Sequence, residues 1–326
     1  MTVDLRELPF GVEIEFTGIT RKKAAQVCAA CFHTEPVKYN ENLYVVRDET
    51  HREWKFVYDS SITAKPSGNP YKVEMVTPVC RYEDIERIQE IVRALRNEGL
   101  RVNDSCGMHI HVDGSRFDPR TLRNLVNLMA NKEDVIYRAL NVNARRERNY
   151  CRKTNPVFLE ELNRAKPTDM EEFRRIWYQD QMQHQRHGHY DESRYQSLNL
   201  HSFFEKGTVE YRVFNGTSHC GRIRTAIQFV LAITAQALNR KYVTQQKMES
   251  ENEKYTFRTW LLSLGMIGPE FKTARMFLRE NLEGNSAWKD PAQAQLKKEA
   301  QREARRLQEQ QAESSEEMEE TMEMQM

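Results

Sequence analysis

Three short stretches of the chain alternate apolar residues with charged or metal-binding ones, and that alternation constrains both their backbone and their two faces. In the first, Val12, Ile14 and Phe16 alternate with Glu13 and Glu15. In the second, Met108, Ile110 and Val112 alternate with His109 and His111. In the third, Val209, Tyr211 and Val213 alternate with Glu210 and Arg212. A period of two predicts β-strands, whose side chains at i and i+2 leave by the same face. Each stretch would therefore turn its apolar set to a core and its Glu, His or Arg set to the other side. Tyr71 to Val76 makes a fourth strand, with Glu74 opposite Val73 and Met75.

A half-exposed antiparallel strand alternates too, but its outer face is usually a mixture of Thr, Lys, Ser and Arg. Here the outer faces carry a Glu pair, a His pair and a Glu-x-Arg. Carboxylates two residues apart on a strand stand roughly 7 Å apart, so they repel by about 0.6 kcal/mol in water and about 2.4 kcal/mol at an effective dielectric of 20. A cation between them relieves that repulsion.

Between these strands the pattern changes to helical spacing. Arg21 to Phe32 reads as a helix, followed by strand-like runs at Tyr44 to Arg47 and Trp54 to Tyr58. Ile85, Ile88, Ile91, Val92 and Leu95 mark a helix over Tyr82 to Glu98, with Gly99 as its stop signal. Asp118-Pro119 opens another, to about Leu140; residues 155–183 are helical and charged, and Arg222 to Asn239 is the most apolar helix. Lys206 and Gly207 read as hairpin residues before the third strand. Cys28 and Cys31 form the only C-x-x-C of six cysteines; on a helix, without a second pair, they read as core thiols rather than a zinc site. From Pro291 the composition turns to Ala, Gln, Lys, Arg and Glu, and residues 314–326 to Ser, Glu and Met, as in a solvated helix fading into disorder. The expected organisation is a catalytic domain over residues 1–285 and a polar tail over 286–326, the tail being a place where a protein partner would bind.

The 49 basic and 48 acidic residues give a formal charge of +1, which predicts no nucleic acid or membrane partner through bulk charge. No run of 18 apolar residues occurs and Met1 to Phe10 lacks the pattern of a signal peptide, so a cytoplasmic location is expected.

Glu13, Glu15, Glu74 and Glu210 with His109 offer hard oxygen ligands and one imidazole from four strands, a set suited to Mg²⁺ or Mn²⁺. Several carboxylates can hold two or three such ions, which are most useful where nucleotide phosphates are bound and a phosphoryl group moves. Neither a P-loop nor a G-x-G-x-x-G after a strand is present, so ATP would be held by metals and arginines. Arg212, on the face of Glu210, would meet a transferred phosphate.

Five pieces then follow in order: Gly11-Val12-Glu13-Ile14-Glu15-Phe16, Asp59 with Ser61, Glu74-Met75-Val76-Thr77-Pro78, Cys106-Gly107-Met108-His109-Ile110-His111-Val112 and Thr208-Val209-Glu210-Tyr211-Arg212-Val213-Phe214. Together they resemble the amidoligase family, which is similar to glutamine synthetase and glutamate-cysteine ligase, the carboxylate-amine ligases. The resemblance implies an α+β fold in which a curved, mostly antiparallel β-sheet forms a funnel with helices packed outside. It also implies an ATP-dependent ligase joining a small-molecule or peptide carboxylate to an amine through an acyl phosphate. By position, Glu15 and Glu74 would hold one ion, and Glu13, His109 and Glu210 the ion between the β- and γ-phosphates. His111 would face the nucleotide, and Arg212 would stabilise charge on the moving phosphoryl group. Asp59 would bind a further ion or the incoming amine, or else cap a turn with Ser60 and Ser61. Arg194 takes the place of an upstream phosphate-binding arginine, with Arg186 as its competitor. His184, His187 and His189 read as a lid or solvated loop. Two rival readings are a metal-dependent phosphoesterase and a nucleotide-binding module without turnover.

Overall fold

In the computed structural model, residues 2–178, 191–286, 296, 299–300 and 302–308 are described. The chain divides into two compact units, Met1–Glu249 with Leu261–Asn281, and Ser250–Trp260 with Leu282–Met326. His184, Arg186, His187 and His189 lie outside the described residues, as does the end of the tail. The described tail residues 302–308 are helical and exposed.

The first unit is built on one open antiparallel sheet of eight strands: β1 Phe10–Phe16, β2 Val37–Asn40, β3 Leu43–Arg47, β4 Glu53–Val57, β5 Val73–Val76, β6 Gly107–Asp113, β7 Leu198–Asn199 and β8 Thr208–Asn215. Their spatial order is β2-β3-β4-β5-β1-β6-β8-β7. The four strands with chemical faces are therefore consecutive in the sheet. Register does the rest: Glu15 lies opposite Glu74, Glu13 opposite His109, and His111 opposite Glu210. Directly opposed carboxylates destabilise a strand pair, so the Glu15–Glu74 pairing is a cost that the fold carries.

Among the described residues, helices form in chain order at α1 Arg21–Cys31, α2 Ile85–Asn97, α3 Pro119–Ala139, α4 Ala144–Asn149, α5 Pro156–Ala165, α6 Met170–Tyr178, α7 His201–Lys206, α8 Cys220–Asn239, α9 Glu253–Ser263 and α10 Lys272–Phe277. In α2, Ile85, Ile88, Ile91, Val92 and Leu95 are buried, the stripe that a 3.6 period requires. At the start of α3 the Asp118 carboxylate accepts from the Thr121 N–H, with Pro119 in the first turn, where its missing N–H costs nothing. Helix α8 is buried along most of its length and packs on α2, α3, α10 and β6. The apolar face of the sheet, Phe10, Val12, Ile14 and Phe16 of β1 with Met108, Ile110 and Val112 of β6, is buried to 2 % exposure or less.

The structure departs from the sequence expectations at several places. Lys206 ends α7 and Gly207 is its left-handed cap at φ 73°, so a helix terminus, not a hairpin, leads into β8. The helical run expected over residues 155–183 is two helices as far as it is described, α5 ending at its left-handed cap Lys166 (φ 50°) and α6 beginning at Met170, while 179–183 lie outside the described residues. A register shift lies between Met108 and Ile110: these pair with Phe214 and Tyr211, so β8 carries one extra residue and its strict alternation ends after Arg212. Strand β2 and helix α4 answer to no pattern in the sequence. Cys28 is buried and Cys31 half-buried on α1, and both are free thiols. No helix among the described residues is long and apolar enough to cross a membrane.

Candidate active site

Cross-strand pairing on β5, β1, β6 and β8 gathers the acidic and imidazole side chains at one cavity of about 410 Å³, whose lining includes Glu13, Glu15, Glu74, His109 and Glu210. Asp59, Arg146, Arg194 and Arg212 line it as well. A second cavity of about 500 Å³, mostly apolar, is walled by Phe10, Val12, Val76, Pro78 and Val79, and Glu13 and Lys206 border both. His111 lines the second cavity.

Within the polar cavity, His109 Nδ1 stands 3.2 Å from Glu13 Oε2 and 3.7 Å from Glu210 Oε1, and its Nε2 is 3.8 Å from Glu15 Oε1. His111 Nε2 is 3.2 Å from Glu13 Oε1, and its Nδ1 is 3.1 Å from the Thr208 hydroxyl. Glu15 is fixed by the Gly107 N–H, which donates to Oε2 at 2.6 Å. Glu210 is fixed twice, by the Asn199 amide donating to Oε2 at 2.6 Å and by an ion pair with Arg212. Arg212 also donates through Nε to the Tyr150 carbonyl at 3.2 Å.

Three sets of ligand atoms come within 4.8 Å of one another: Glu13 with His111 and Glu210, Glu13 with Glu74 and His109, and Glu15 with Asp59 and Glu74. The partition by position grouped Glu13 and Glu210 with His109, whose Nδ1 lies near both; the same two carboxylates also come together with His111, and His109 with Glu13 and Glu74. Asp59 accepts from the Ser61 N–H at 2.6 Å as a turn cap, and its carboxylate lies close to those of Glu15 and Glu74. Arg194 sits in a short 3₁₀ turn, Glu192–Tyr195, at the cavity wall. Lys206 and Arg146 are cationic lining residues that the sequence did not assign to the site.

The electrostatics are those of a crowded anionic site. Burial pushes the Glu74 carboxyl well above the usual carboxylate range, and the charges of Glu13, Glu15, Asp59 and Glu210 push it further. Burial opposes ionisation of Glu13 as well, but His111 and His109 hold it well below that range. Against the same burial, Arg212 and His111 bring Glu210 down to about 2. His111 resists burial and is raised, by Glu13 and Glu210. Without a cation, burial and the neighbouring charges favour the protonated over the ionised form of Glu74.

The donor set fits a divalent ion. The Nε2 atoms of His109 and His111 are buried and make no hydrogen bond among the described residues, although each faces carboxylates. A buried ring nitrogen left without a partner is costly, and a metal accepts that lone pair. With oxygens dominating and no thiolate in any of the three sets, Mg²⁺ or Mn²⁺ suits better than zinc.

Comparison with known proteins follows this geometry. A family model described as "Putative amidoligase enzyme" matches residues 6–234. No curated protein matches the chain. Among solved structures, the complex between prokaryotic ubiquitin-like protein Pup and its ligase PafA is similar at 11 % identity, covering 84 % of this chain and 52 % of that one, with a TM-score of 0.28. The chain therefore spans about half of that relative's length, and an overlap so loose carries no argument.

Proposed function

The chain belongs to the amidoligase family, and from that premise we propose that it is an ATP-dependent ligase joining a carboxylate to an amine through an acyl phosphate. One observation carries the reading: carboxylates and imidazoles from four adjacent strands meet at a cavity that also holds arginines, next to a mostly apolar cavity. The two cavities divide the labour. The apolar one, between Phe10, Val12, Val76 and Pro78, suits a nucleotide base, and Glu13, His111 and Lys206 border it where the phosphates would run toward the polar one. The glutamine synthetase-like funnel, with nucleotide and acceptor entering by opposite ends, belongs to the same reading.

Two or three Mg²⁺ ions on Glu13, Glu15, Glu74, His109 and Glu210 would neutralise phosphate charge and orient the γ-phosphoryl group. Arg212, fixed by Glu210 and the Tyr150 carbonyl, holds a positive charge where negative charge builds up on the phosphoryl oxygens. Lys206 at the mouth and Arg194 at the wall add cationic reach without a P-loop. A substrate carboxylate oxygen attacks the γ-phosphorus and ADP leaves; the amine then attacks the acyl carbon, phosphate leaves, and the amide remains. Asp59, at the edge of the Glu15–Glu74 pair, is placed to hold the incoming ammonium and take its proton. The substrates in this reading are amino acids or peptides, and a protein partner would use the tail.

The test is ADP release from ATP and Mg²⁺ with pooled amino acids and peptides. Release that requires both a free carboxylate and a free amine, with an amide product found by mass spectrometry, supports ligation. Phosphate release from esters without ATP would replace it with a phosphoesterase, and ATP binding without any turnover would leave a binding module.

A further inference from the structure

Arg146 is buried to 2 % exposure, lines the polar cavity, and has no carboxylate within 4 Å among the described residues. Its neighbour Arg212 is neutralised by Glu210, but among the described residues the Arg146 guanidinium has only the Arg212 carbonyl, reached by Nη2 at 3.3 Å, and its Nε has no partner. A buried charge without a counter-charge is costly to fold. The Arg146 carbonyl accepts from both the Tyr150 and Cys151 N–H groups, at 2.8 and 2.9 Å. The turn before α4 is tied to β8, since Asn215 accepts from the Asn143 N–H and donates to the Asn141 carbonyl. Opposite, the strand makes room: a Cβ on Gly107 would lie 2.3 Å from both Nη atoms, so the guanidinium rests where only glycine allows it.

We infer that Arg146 is the docking group for a free carboxylate of the acceptor substrate, the α-carboxylate of an amino acid or the C-terminus of a peptide, which is recognised but not activated. A planar guanidinium whose Nη1 makes no hydrogen bond among the described residues, and whose Nη2 uses one of its two N–H groups on the Arg212 carbonyl, matches a carboxylate by paired, charge-assisted hydrogen bonds. Its location favours acceptor over nucleotide: Arg146 lines the polar cavity and not the apolar one, whereas Glu13 and Lys206 border both. Which end takes the nucleotide rests on the ligase reading; the unpaired buried cation does not.

Saturation-transfer NMR of the full chain, with Mg²⁺ and the non-hydrolysable ATP analogue AMP-PNP, tests this using two probe pools: the common amino acids and their α-carboxamides. The wild type is expected to bind members of the acid pool and not the matching carboxamides. Arg146→Gln should weaken the tightest acid by about tenfold or more, the loss of one charge-assisted pair, with Arg146→Lys in between and AMP-PNP affinity within about twofold of wild type. Gly107→Ala, which displaces the guanidinium and keeps its charge, should weaken the same acid, and it carries the test if Arg146→Gln does not fold. The inference is overturned if no acid binds the wild type, if carboxamides bind as well as acids, if both variants bind acids normally, or if the loss falls on AMP-PNP instead. Acid binding that depends on Arg146 while AMP-PNP fails to bind would sink the ligase reading and leave the carboxylate site standing.

Discussion

At the scale of single residues, the site is defined by what holds each ligand. Glu15 is buried, accepts from the Gly107 N–H and faces Glu74 across the strand pair, where a cation would offset the opposed like charges. Glu15→Gln keeps an acceptor for that N–H and removes the charge; His109→Ala removes the imidazole. Each is expected to lower ADP release by at least about a hundredfold, as expected when part of the electrostatic stabilisation of a transition state is lost. The thermal midpoint without metal should not fall for Glu15→Gln, because one like charge is gone. Wild-type turnover in either variant would refute the metal assignment. These residues were legible in the sequence because a strand's period of two assigns a face without knowledge of its neighbours. Arg146 was not: it stands beside Arg145 and Arg148 in a polar run, and only its burial and the empty flank of Gly107 separate it from them.

At the scale of elements, α3 joins the catalytic sheet to the segment leading toward β7 through one buried acid. Glu133 accepts from the Thr154 N–H at 2.7 Å and from the Ser197 hydroxyl at 3.3 Å, and burial raises its carboxyl to about 7. Because the folded value lies above the unfolded one, its contribution is complete below about pH 4.5 and is lost as pH rises through about 7, on the order of 3 kcal/mol in all. Thermal melts of the wild type should therefore fall between pH 5 and 8, and Glu133→Gln, which retains a carbonyl acceptor, should flatten the profile. An unchanged slope would show that Glu133 does not titrate in this range. Helices with a buried stripe, such as α2 and α3, were readable from spacing and caps. Strand β2 was not, because all four of its residues are exposed and leave no apolar alternation. Nor was the extra residue in β8, since a bulge is set by the partner strand and not by local composition.

At the scale of the whole molecule, the sheet order decides the chemistry. Alternation indicated four chemical faces, but not that β5, β1, β6 and β8 are consecutive, because pairing over about a hundred residues leaves no local trace. The resulting anionic cluster predicts a response to metal. Mg²⁺ at a hundred times its dissociation constant should stabilise the fold by about 2.7 kcal/mol per site, seen as a higher melting temperature that EDTA reverses. Glu74→Gln, in which a neutral amide replaces the carboxyl, should blunt that rise; an identical midpoint with and without Mg²⁺ would contradict a divalent site. The pairing of β6 with β8 has a further consequence, for biosynthesis. His111 gains Glu210 only after the ribosome has added some hundred residues beyond it, so during translation the acidic hollow cannot nucleate collapse. It is a late product of a scaffold that must first assemble from distant strands.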